Sequence, residues 1–80
     1  MNEVPKPIRI QLLQEEIQRW KNTCFLWEAR HRAYKRVNNA EALKETDQQL
    51  ILVEGAIAEL ETMLKEIEME TQPVPQSGAQ

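Results

Sequence analysis

The chain runs from Ile8 to Val37 without a Gly or a Pro, and from Ala40 to Glu70 without a Pro. Only Asn38-Asn39 divides the two runs. Helix breakers are the residues that end helices, and their absence over such lengths leaves few folds open. Each run also carries a seam of apolar residues at heptad spacing. In the first, Ile10, Ile17, Cys24 and His31 fall at a, and Leu13, Trp20, Trp27 and Tyr34 at d. In the second, Leu43, Leu50, Ile57 and Leu64 fall at a, and Thr46, Val53, Leu60 and Ile67 at d. Four successive heptads in each run predict two long helices that pack along one stripe.

Asn38-Asn39 suits the join. Asn tolerates the left-handed conformation at a helix end and is also a good N-cap. A short loop makes the helices antiparallel neighbours. Folded there, each seam residue meets the one whose number sums with its own to 77. The layers are Ile10–Ile67, Leu13–Leu64, Ile17–Leu60, Trp20–Ile57, Cys24–Val53, Trp27–Leu50, His31–Thr46 and Tyr34–Leu43, each matching an a position with a d position. Neither heptad assignment was set to give that agreement, so it supports the hairpin independently. Gly55 and Ala56 fall near the level of Trp20, where small residues would make room for an indole. The e column of the second helix is Asp47, Glu54, Glu61 and Glu68. Across from it, Lys21 can approach Glu54 or Glu61, and Lys35 can approach Asp47. Such exposed pairs give orientation more than strength, at about 0.2–1 kcal/mol each.

The expected fold is therefore all-α, an antiparallel two-helix coiled-coil hairpin. Residues 1–7 form a flexible lead-in, with helices over 8–37 and 40–70 and a turn at 38–39. The last ten residues, with Pro73 and Pro75, read as a disordered tail. Eighty residues make one domain and exclude any fold that needs a roomy pocket. One cysteine, Cys24, forms no intramolecular disulfide. The start of the chain has no apolar leader core, and runs such as Cys24–Trp27 are four residues long against about 20 for a membrane span. A cytoplasmic protein with no membrane contact is expected.

The chain has more apolar residues than one seam uses: 41% are hydrophobic. Leu12, Leu26 and Ala33 lie on the c column of the first helix. Ala42, Ala56 and Met63 lie on the g column of the second, and Leu52 on its c column. Phe25 and Ile51 sit on other faces at the height of Leu26 and Leu52, which completes an apolar waist. A monomer rarely leaves such a band open, so a homo-oligomer is expected, most simply two hairpins forming a four-helix bundle. Leu12, Phe25, Leu26, Ile51, Leu52, Ala56 and Met63 are its expected interface. The architecture resembles that of small hairpin proteins that dimerise into four-helix bundles, some of which bind RNA. That likeness is one of fold and carries no residue role.

Net charge is −3, unevenly divided. Residues 1–39 hold eight Lys/Arg and four Glu, and residues 40–80 hold two Lys and nine Asp/Glu. The loop end gathers Arg30, His31, Arg32, Tyr34, Lys35 and Arg36. Arg30, Arg32, Lys35 and Arg36 could neutralise the phosphates of a nucleic acid or small nucleotide, with Tyr34 stacking if exposed. The simpler role is structural: cations at a helix C-terminus complement its dipole, and Tyr34 lies on the seam. His31, facing Thr46, reads as a polar layer that fixes register. No set of metal ligands surrounds it, and Cys24 lies about 10 Å along the helix, with no third group to orient a base. No metal, cofactor or catalytic residue is expected. The function expected is that of a non-enzymatic, homo-oligomeric interaction protein, a small regulator, adaptor or inhibitor such as a viral accessory protein. The alternative is a nucleic-acid or nucleotide binder acting through the loop end.

Overall fold

The computed structural model describes residues 3–70, and the expected tail, 71–80, lies outside them. Two helices pair along their length, α1 over Lys6–Arg36 and α2 over Ala40–Met69. The antiparallel hairpin is thus the observed fold. Its α1 starts two residues before Ile8, because Pro5 and Pro7 work as a helix entry rather than a barrier. The Pro5 carbonyl accepts from the Ile8 and Arg9 amides at 3.0 Å, and Pro7 falls in the first turn, whose amides have no partner inside the helix.

The two asparagines at the turn divide the work. Asn38 takes φ 57°, the left-handed conformation. The Asn38 amide then donates to the Lys35 carbonyl and the Asn39 amide to the Tyr34 carbonyl, at 3.2 and 3.1 Å. That is the paired-bond closure of a Schellman motif. Asn39 is extended and caps α2, its side-chain oxygen accepting from the Ala42 amide at 3.1 Å. Each asparagine serves the helix on its own side, and with Val37 as the C-cap three residues suffice to reverse the chain.

Three contacts across the seam report the register. Arg9 meets Glu70 at 3.3 Å, Lys21 meets Glu61 at 3.9 Å, and His31 Nε2 lies 3.1 Å from Asp47 Oδ1. Lys21 reaches the carboxylate expected of it. At Asp47 the outcome differs: the side chain beside it is His31, not Lys35. At the His31–Thr46 layer each side chain makes its polar bond elsewhere, His31 with Asp47 and Thr46 within its own helix. Thr46 is fully buried, and its hydroxyl donates to the Leu43 carbonyl of its own helix at 2.8 Å. A threonine satisfied by the preceding turn has no need of a partner across the seam.

The core is narrow. Among the described residues only Ile17, Val53 and Ile67 are buried apolar side chains, and Trp20 and Trp27 are half-buried. Gly55 does not make room for Trp20. A Cβ built on it meets nothing within 4 Å, because position f points away from α1. Gly55→Ala is therefore expected to stabilise the helix by about 0.5–1 kcal/mol, since alanine restricts the unfolded chain at no steric cost. Thermal unfolding followed by circular dichroism checks this, and a lower midpoint would contradict it.

Candidate functional site

The heptad phase sets what each helix presents beside the seam. One side of the hairpin shows the g and c columns of both helices, and the other shows e and b. The structure leaves large apolar side chains open on both. On the g/c side Leu12 is 52% exposed, Leu26 51%, Leu52 64% and Met63 39%. On the e/b side Phe25 is 67% exposed and Ile51 69%. Ala56 is half-buried beside the seam. The waist expected from the sequence is thus two apolar spots on opposite faces, Leu26 with Leu52 and Phe25 with Ile51.

The g/c side also carries a groove of about 410 Å³ at the open end of the hairpin. It is lined by Val4 and by Leu12 and Leu13 of α1 and Met63 and Ile67 of α2, together with Arg9, Glu66 and Glu70. Arg9 is fixed there by Glu70 and by its own Nε, which donates to the Val4 carbonyl at 3.2 Å. Glu66 apart, the rest of the lining is apolar. The exposed Val4 and Ile8 add to the apolar surface near this end, beyond the expected interface residues.

The loop-end cations divide by helix face. The Arg30 guanidinium lies over the Trp27 ring, 4.7 Å from its centroid, a cation–π contact that occupies it. Tyr34 is half-buried in the seam, as a d position requires, and so is poorly placed to stack on a ligand. Lys35 and Arg36 sit in the last turn of α1, where their charge complements the dipole. Arg32 and Arg36 do share one feature. With Phe25, Glu28, Ala29 and Ala33 they line a shallow groove of about 520 Å³ on the outer face of α1.

Cys24 sits beside two carboxylates. Its thiol donates to Glu28 at 3.8 Å. Its sulfur and the carboxylate oxygens of Glu28 and Glu54 all lie within 4.8 Å of one another. Burial, then the negative charges of Glu28 and Glu54, hold the thiol above its ordinary pKa of 9.0. These groups keep Cys24 protonated and slow as a nucleophile. The grouping was legible in principle: Glu28 lies one turn along α1, and Glu54 lies at the level of Cys24 on α2.

No helix among the described residues is long and apolar enough to cross a membrane. Comparison of the chain with protein families, with curated proteins and with solved structures finds no match.

Proposed function

We propose that this chain is a self-associating, non-enzymatic helical interaction protein, a small regulator, adaptor or inhibitor of another macromolecule. The observation that carries the reading is the exposure of Leu26, Phe25, Ile51 and Leu52, each more than half open at mid-hairpin. Burying apolar surface is worth roughly 25 cal/mol per Å², so water strongly disfavours leaving these groups open. A second copy of the hairpin supplies the nearest cover of the same length and shape. The face left over, with its own apolar spot and the charged loop end, is then free for a protein partner.

Sedimentation velocity tests the reading. The chain is expected to sediment as a dimer or larger assembly at micromolar concentration. Leu26→Asp with Leu52→Asp is expected to sediment as a monomer. A wild-type chain that is helical and monomeric would defeat the reading.

The groove of Phe25, Arg32 and Arg36 supports a second reading, binding of a nucleic acid or small nucleotide at the loop end. Charge reversal of Arg32 and Arg36 separates the two. It abolishes anion binding under the second reading and leaves the assembly intact under the first.

A further inference from the structure

The g/c side has a charge pattern as well as an apolar one. On the α1 half its charged residues are Arg9, Arg19 and Arg30 against one Glu, Glu16. On the α2 half they are Glu45, Glu59, Glu66 and Glu70, with no cation. One half of the face is basic and the other acidic, and both halves carry large apolar side chains at matching heights. Leu26 lies level with Leu52, and Leu12 shares the open-end groove with Met63.

We infer that a second copy of this chain seats on the g/c side about a two-fold axis parallel to the hairpin, placing α1 of each copy on α2 of the other. This rests on the self-association proposed above and specifies its geometry. Two face-to-face arrangements exist for a symmetric pair of hairpins. An axis across the hairpin puts α1 on α1 and α2 on α2, so cations face cations and carboxylates face carboxylates. An axis along the hairpin puts unlike helices together, so the basic half meets the acidic half. Like charges brought together at an interface are costly, which favours the second arrangement.

The symmetry then fixes the register. A closed two-fold axis along the rod allows no sliding, because any slip would turn the rotation into a screw and leave the assembly open. Each residue of α1 therefore meets the partner's α2 at its own height. Leu26 meets the partner's Leu52, and Leu12 meets the partner's Met63. Arg19 meets the partner's Glu59. Its guanidinium already holds Glu16 at 2.7 Å, and its fork has further donors for a second carboxylate. Both loop ends lie at one end of the bundle, and Phe25 and Ile51 stay outside it.

Two independent experiments test the arrangement. In a Cys24→Ala background, Leu26→Cys chains and Leu52→Cys chains are refolded together and oxidised. Disulfides are expected in the mixture and not in either variant alone, because a bridge needs Cα atoms within about 7 Å. In the second test, Arg19→Glu is expected to weaken self-association about tenfold, and adding Glu59→Arg to the same chain to restore it. Cross-linking within the single variants, a dimer with no cross-link in the mixture, or failure of the charge swap to restore affinity would overturn this geometry and leave the proposed self-association standing. A monomeric wild type would overturn both.

Discussion

Ile17→Ala is expected to lower the stability of the protein by about 2–4 kcal/mol, a cost of the order seen for buried isoleucine truncations. Ile17 is the only buried side chain that α1 contributes among the described residues, at 7% exposure. The truncation removes three carbons from a layer that the register shares with Leu60. At about 0.8 kcal/mol per buried methylene, transfer alone accounts for roughly 2.4 kcal/mol, and incomplete closure of the gap adds to it. For a chain of this size the midpoint should fall by about 8–30 °C. Ile8→Ala is the internal control. Ile8 is 44% exposed, so its loss should cost less than about 1 kcal/mol. Thermal or urea unfolding followed by circular dichroism measures both. Equal effects from the two variants would mean that the seam does not hold the hairpin together.

The seam and turn were legible in the sequence because few residue types can meet their demands. Asn38 and Asn39 are an example, since positive φ at the end of one helix and a side-chain cap on the next both select for asparagine. The heptads set the register for a similar reason: once the chain folds at Asn38-Asn39, a single phase relation between the two repeats pairs every a position with a d position. What was not legible turns on side-chain reach. Thr46 looks like a polar partner for His31 in a layer diagram, yet a threonine on a helix can satisfy itself one turn back. His31 rather than Lys35 lies beside Asp47, and heptad letters carry no information about that choice. Gly55 was read as space for Trp20, but its f position points to solvent, so its smallness answers no neighbour. The exposed spots were countable from the sequence. Their division between faces was legible too, since Phe25 and Ile51 fall at b while Leu26 and Leu52 fall at c, but their degree of exposure was not.

The thermal midpoint of the wild-type protein is expected to rise with its concentration. The core of the lone hairpin is small, with Ile17, Val53 and Ile67 its buried apolar residues among those described. A chain this short buries only about 60% of its unfolded surface even when compact, and a two-helix unit is less compact than most. If the g/c side closes on a second copy, association and folding become one equilibrium, and mass action moves the midpoint. Each tenfold rise in concentration contributes about 1.4 kcal/mol per dimer. Shared between two chains of this size, that raises the midpoint by about 3–5 °C. Leu26→Asp with Leu52→Asp removes the apolar contact and leaves the seam untouched, because both side chains are more than half exposed in the hairpin. Its midpoint should be lower than that of the wild type and independent of concentration. The measurement is a series of melts between about 1 and 100 µM for each chain. A flat wild-type series would show that the hairpin folds alone and that the exposed leucines meet something other than a second copy.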